Sequence, residues 1–131
     1  MGGDIAMHRI ETHQDLKVYK LSFKSGMNVF ELSKSFPYDE KYSLTDQIRR
    51  SSRSVSGNIA EGFQKRRYRK LFIAKLTDST GEAAETQVWL EYAYRCGYIR
   101  YDHYLKMYNV YDQIIAMLVK MIINPEKWTI N

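Results

Sequence analysis

Apolar residues recur every three or four positions in four stretches of the chain, separated by short polar joints. In the first stretch Leu16, Tyr19, Phe23, Met27 and Phe30 fall at spacings of 3 and 4, which stacks them on one face of a helix. That helix is expected from Asp15, as N-cap, to about Ser35, because Pro37 disfavours helical geometry at Phe36. Gly26 interrupts it at a cost of ~1 kcal/mol relative to Ala, which suggests close packing there. A second stripe, Leu44, Ile48, Val55, Ile59 and Phe63 with Ser52 in its gap, predicts a helix over 44–63, with Gly62 as a C-cap. A third helix is expected over 68–96, with Phe72, Leu76, Ala83, Leu90 and Ala93 inward and Gly97 as its stop. The fourth, 101–124, places Tyr104, Tyr108, Tyr111, Ile115, Leu118 and Ile122 at alternating spacings of 4 and 3, a heptad that favours shallow left-handed packing. Asn124-Pro125 ends it. Residues 1–14 and 125–131 are left as tails.

No alternating β pattern appears, and both prolines sit at helix ends. Short joints make successive helices antiparallel, so the pattern predicts one all-α domain, an up-down four-helix bundle. At 131 residues the chain is long enough to bury a core without disulfides. The start of the chain lacks the basic and apolar features of a secretory signal. It also lacks the myristoylation pattern, since Ala6 stands where Ser or Thr is needed. The longest apolar run, Ile114 to Val119, is far short of the ~20 residues of a membrane span. A cytoplasmic protein is expected. The single Cys96 cannot form an internal disulfide, and a lone cysteine without a local catalytic signature is expected to pack as a small hydrophobe.

Charge changes this picture more than composition does. The net +5 is unevenly spread: residues 41–75 hold ten Lys or Arg against Asp46 and Glu61, a block of +8, so the remainder sums to −3. Such a block suggests a surface that faces a polyanion. Catalytic chemistry is harder to find. The di-iron site of some bundles needs a Glu-x-x-His on two helices, and none of His8, His13 and His103 follows a Glu by three. Asp78, Glu82 and Glu85 share a face of the third helix and could hold a hard cation. An acidic stripe paired with nearby or intersubunit bases is the better reading. No phosphate-binding glycine loop is present, and the histidines lie in tails or a joint. Neither an enzyme nor a metal or organic cofactor is expected.

The second helix carries the informative arrangement. Advancing about 100° per residue from Ile48, Ser52, Val55 and Ile59 cluster within about 40°, while Arg49, Arg50 and Arg53 fall at about 100°, 200° and 140°. Gln47, Ser51, Ser54, Asn58 and Glu61 form a third stripe, a polar seam at heptad spacing. Its small side chains suggest close approach of another helix, within the bundle or from another protomer. Directly after this helix come Lys65, Arg66, Arg67, Tyr68, Arg69 and Lys70, five cations around one aromatic. A run of this kind attracts phosphates, and Tyr68 could stack on an unpaired base. It could also cap helix dipoles or meet an acidic protein.

The run from Gln47-Ile48-Arg49-Arg50 to Asn58-Ile59-Ala60-Glu61-Gly62-Phe63 resembles the signature of the "four helix bundle protein" family, also called the 23S rRNA intervening-sequence protein or S23 family. Asp15-Leu16-Lys17-Val18-Tyr19, Phe36-Pro37, Glu85-Thr86-Gln87-Val88-Trp89-Leu90 and Cys96-Gly97-Tyr98-Ile99 agree with it, so the likeness covers roughly 13–123. The resemblance implies an up-down bundle that assembles as a ring-like homopentamer. It also implies kinship with the basic, nucleic-acid-binding accessory protein of diversity-generating retroelements. Many members open the third helix with a Ser and an acidic residue. Here Arg67 to Lys70 stand instead, which weakens the cap and strengthens the basic joint.

The expectation is therefore a non-enzymatic, oligomeric protein that binds RNA or DNA through Arg49, Arg50, Arg53, Lys65, Arg66, Arg67, Tyr68, Arg69 and Lys70, with the joint as the foremost site. The alternative is an interaction scaffold. Its basic surface would dock an acidic protein partner, while the polar seam and the Tyr-rich fourth helix build the oligomer.

Overall fold

The computed structural model describes residues 9–130. Helices α1 (Lys17–Ser33), α2 (Leu44–Gln64), α3 (Arg69–Arg95) and α4 (Tyr101–Ile123) are joined and flanked by single 3-10 turns at His13–Asp15, Tyr38–Glu40 and Pro125–Lys127. No strand occurs among the described residues. α1 packs on α2 and α4, and α3 packs on α2 and α4, with no substantial contact across either diagonal. This is the up-down four-helix bundle. One end carries the 65–68 joint, the start of α1 and the end of α4; the other carries the 34–43 and 96–100 connections.

The stripes expected on α2 and α3 form the core: Ile48, Val55, Ile59, Phe72, Leu76, Ala83, Leu90 and Ala93 are wholly buried. On α4 the buried stripe is Tyr111, Ile114, Leu118 and Met121, while Tyr104, Tyr108, Ile115 and Ile122 are only half-buried. The expected heptad was one position off because Ile114-Ile115 and Met121-Ile122 offer two overlapping stripes that share Tyr111 and Leu118.

α1 departs further from expectation. Its buried face is Val18, Ser22, Ser25, Val29 and Ser33, whereas Phe23 and Met27 are 52% and 48% exposed and Tyr19 and Phe30 half-buried. Small residues allow the backbones to approach: a Cβ on Gly26 would lie 3.7 Å from the Ser52 carbonyl oxygen. The serine hydroxyls are satisfied within the helix, Ser22 donating to the Tyr19 carbonyl at 2.9 Å and Ser25 to that of Leu21 at 2.8 Å. The large apolar stripe is thus left outward. Asp15 is not the N-cap of α1 either. Leu16 holds that position, and Asp15 closes a capping box with Thr12 on the preceding turn, its carboxylate accepting from the Glu11 and Thr12 amides at 2.9 Å each.

Two glycines near helix ends play different parts. At Gly97 φ is +80°, the left-handed region, and the Tyr98 amide donates to the Ala93 carbonyl at 2.8 Å while the Gly97 amide donates to that of Tyr94 at 2.9 Å. This Schellman pair stops α3 as expected. Gly62 is no C-cap, because α2 continues to Gln64. It marks a close approach: a Cβ there would meet Lys75 Cβ at 3.2 Å and Leu76 Cδ2 at 3.3 Å. Cys96, next to Gly97, is exposed rather than buried, since the helix ends before it can turn inward. The stretch after α4 is no loose tail: Pro125 is buried, Trp128 packs on the core, and the Ile130 amide donates to the Arg66 carbonyl at 3.2 Å.

Candidate nucleic-acid interface

The cations of the 65–68 joint divide by what they touch. Arg66 folds back on α2, donating from Nη1 to the Phe63 carbonyl at 2.9 Å, with its guanidinium 3.8 Å from the Phe63 ring centroid. It serves to close the helix C-terminus, where a cation meets the negative end of the dipole. Lys65 is the half-buried C-cap. Arg67, Tyr68, Arg69 and Lys70 are exposed, Tyr68 to 61%. Among the described residues no carboxylate lies within 4 Å of Lys65, Arg67, Arg69 or Lys70. α3 begins here without a side-chain cap, so its first N–H groups face the same place as three cations. Cations at a helix N-terminus oppose the dipole, and free amides with positive charge around them attract an anion.

The arginine face of α2 is more committed. Arg49 donates from Nε to Ser33 Oγ at 2.7 Å, and its guanidinium lies 4.7 Å from the Phe30 ring centroid; Arg53 lies 5.8 Å from the same ring and Lys34 Nζ 4.9 Å. Arg50 donates to Gln47 Oε1 at 2.6 Å and reaches Glu85 at 4.0 Å. One acid of the α3 stripe, Glu85, therefore meets one arginine of α2, Arg50, within the same chain. Burial raises the pKa of Glu82, with the neighbouring Glu85 adding to it. Arg49, Arg50 and Arg53 also line a shallow open groove with Lys41, Tyr42 and Gly57.

The polar seam lies toward α3. Ser51 is wholly buried and shares a 2.8 Å hydrogen bond with Thr86 Oγ1. From the facing helix Ser79 donates to the Val55 carbonyl at 2.8 Å. Gln47, Ser54 and Asn58 are half-buried, Asn58 donating to the Ser54 carbonyl at 3.0 Å. Glu61 is exposed and pairs with Lys75 at 3.5 Å.

Folding adds to the joint what no sequence window contains. Arg9, Lys17 and Lys20 come from the start of the chain, and Lys120 and Lys127 from its end, to the same end of the bundle as the joint. Residues 9–20, 61–70 and 120–130 together hold ten Lys or Arg against four Asp or Glu. The terminal cations lie 45 or more positions from the joint, and only helix phase could have hinted at them.

Among the described residues no cluster of three or more His, Cys, Asp or Glu could hold a metal ion, and no helix is long and apolar enough to cross a membrane. No curated protein matches the chain. A crystal structure of a protein of unknown function from the S23 ribosomal protein family of Bacteroides thetaiotaomicron is 31% identical, covering 80% of this chain and 97% of its own, with a TM-score of 0.73. The family model described as 23S rRNA-intervening sequence protein matches residues 14–120. With that match across most of its bundle, the chain belongs to the 23S rRNA-intervening sequence protein family.

Proposed function

We propose that this protein is a non-enzymatic, oligomeric nucleic-acid-binding protein that grips phosphates at the 65–70 joint. The observation that carries the reading is the set Arg67, Arg69 and Lys70 at the uncapped N-terminus of α3, exposed beside Tyr68 with no acid within 4 Å among the described residues. Stability alone gives no reason to place cations at that pole. Phosphates would be held by point charges and helix amides, and Tyr68 would stack on an unpaired base. Binding of this kind is salt-sensitive and weakly sequence-specific. The family's name, which refers to an rRNA insertion, agrees with an RNA ligand.

The outward Tyr19, Phe23, Met27 and Phe30 stripe supports the oligomer. It lines a shallow trough of about 380 Å³ with Gly26, Gly57 and Ala60, and an apolar strip of this kind is more readily covered than left wet. A homopentamer is the proposed form, and a ring would repeat the joint in each subunit so that avidity offsets weak single sites.

Fluorescence anisotropy with single- and double-stranded RNA and DNA across a salt series tests the function, with light scattering on the same sample for the subunit number. Binding should weaken steeply with salt, and the particle should be several times the chain mass. Absence of binding at low salt, or binding unchanged at about 0.5 M salt, overturns the reading.

A further inference from the structure

One groove lies apart from the 65–70 joint. It has a volume of about 630 Å³ and runs between the start of α1, the end of α4 and the Pro125–Lys127 turn. Leu16, Val18 and Met121 are its buried floor, and the half-buried Met117 and Trp128 complete it, so its exposed lining is mainly apolar. Lys17, Lys20, Lys120 and Lys127 stand around it. Among the described residues none of the four has a carboxylate within 4 Å. The acid in the lining, Asp15, is occupied by the amides of Glu11 and Thr12, which hold its carboxyl below the usual range.

An apolar floor bordered by lysines selects for one kind of occupant. It offers a nucleobase little to read, since sequence readout needs donors and acceptors along a base edge. It suits bulky apolar side chains, and methionine adapts to their shape. Because the groove is open to solvent and bordered by lysines from two walls, it fits a linear segment with acids on both flanks of an apolar stripe. We infer that this groove docks an acidic amphipathic helix of a partner protein, at a site separate from the 65–70 joint.

The probe is a short fluorescein-labelled helical peptide with Leu and Phe at i, i+3 and i+7 and Glu elsewhere, read by anisotropy against the full chain. Binding should fall at least tenfold when the Leu and Phe are replaced by Ser. A fall of the same size is expected with the Lys17→Glu, Lys20→Glu, Lys120→Glu protein, whose changes are all on exposed positions. Trp128→Ala should weaken it several-fold, and unchanged helical circular dichroism shows that the variants fold. An Arg67→Glu, Arg69→Glu, Lys70→Glu protein should bind the peptide within about twofold of wild type, which separates failure here from failure of the nucleic-acid reading. Equal binding of the Ser-substituted peptide overturns the inference, because charge alone would then explain it. So does loss of oligonucleotide rather than peptide binding in the Lys17, Lys20, Lys120 variant, or peptide binding seen only after residues 1–8 are removed.

Discussion

The two ends of the bundle are built from the same parts, two helix starts and two helix stops each, but they resolve their charge in opposite ways. At the end that carries residues 31–43 and 95–103, four Lys or Arg face four Asp or Glu. Pairing there is local: Arg100 grips Asp102 through two bonds at 2.9 and 3.1 Å, Lys34 meets Glu31 at 3.3 Å and Arg95 meets Glu91 at 3.7 Å. Glu40 ties the connection together, accepting from Ser43 Oγ at 2.5 Å, Tyr98 Oη at 2.8 Å and the Leu44 amide at 3.2 Å. At the other end ten cations meet four acids, and most of the cations have no acid within reach among the described residues. One end is finished by its own hydrogen bonds. The other is closed sterically at Gly62 and by Arg66, with its surplus charge directed to solvent. The difference teaches that the basic end is shaped for something outside the chain, because a bundle can be closed without such a surplus.

The largest expected effect comes from reversing charge at the two ends. Arg67→Glu, Arg69→Glu and Lys70→Glu together should weaken oligonucleotide binding by ~100-fold or more and flatten its log–log salt slope by about 2 to 3, as three phosphate contacts are lost. The matched reversal of Lys34, Arg95 and Arg100 should leave binding within about threefold, since those charges are spent on neighbouring acids. Anisotropy on both variants checks the pair, and equal losses would erase the distinction between the ends.

The glycines give a smaller contrast. Gly62→Ala should cost about 1–3 kcal/mol, because its Cβ at 3.2 Å from Lys75 Cβ wedges α2 from α3. Gly97→Ala should cost about 1–2 kcal/mol through its left-handed φ, with no clash around it. Gly81→Ala, with nothing within 4 Å of its Cβ, should instead gain up to about 1 kcal/mol. Denaturant unfolding of the three variants separates packing from backbone strain.

The smallest effect is a pH dependence, strongest at the balanced end. The Ser43 bond, then those of Tyr98 and the Leu44 amide, hold Glu40 below its ordinary 4.5. A depressed carboxylate contributes stability that is present above that ordinary value and lost as pH falls through the folded one. Acidification below about 4.5 should therefore loosen this end first, and Glu40→Gln should flatten that limb of the stability curve. The same bond raises Tyr98 to about 12, so this tyrosine stays protonated throughout. Glu82, raised by burial, runs oppositely: its share is present below 4.5 and lost as pH rises, so Glu82→Gln should help at neutral pH.

Much of the architecture was legible from periodicity. The α2 stripe is unambiguous because its apolar residues occupy a single face, and Gly97 announces a left-handed stop for α3, whose buried stripe stands beside the exposed Leu71, Val88 and Tyr92. α1 is not legible this way, because its apolar bulk marks a stripe that lies largely outside the core. Its inward face is instead Val18, Ser22, Ser25, Val29 and Ser33, small enough for backbones to close, while Phe23 and Met27 face outward. On α4 two stripes overlap, and only contacts with α1 and α3 choose between them. The candidate site divides the same way. The run Lys65 to Lys70 is visible as charge density, yet nothing local shows that Arg66 would turn onto Phe63 while Arg67, Arg69 and Lys70 stay free.

The sequence by itself determined the four helices, their order and the presence of a basic joint, since helix period, glycine stops and charge density are properties of neighbouring residues. Only the tertiary structure decided which face of α1 is buried, how far the arginines of α2 are spent on Phe30, Ser33 and Glu85, and that both ends of the chain deliver lysines beside the joint. Those outcomes depend on helices meeting across dozens of positions, where the separation of charges in space is no longer related to their separation along the chain.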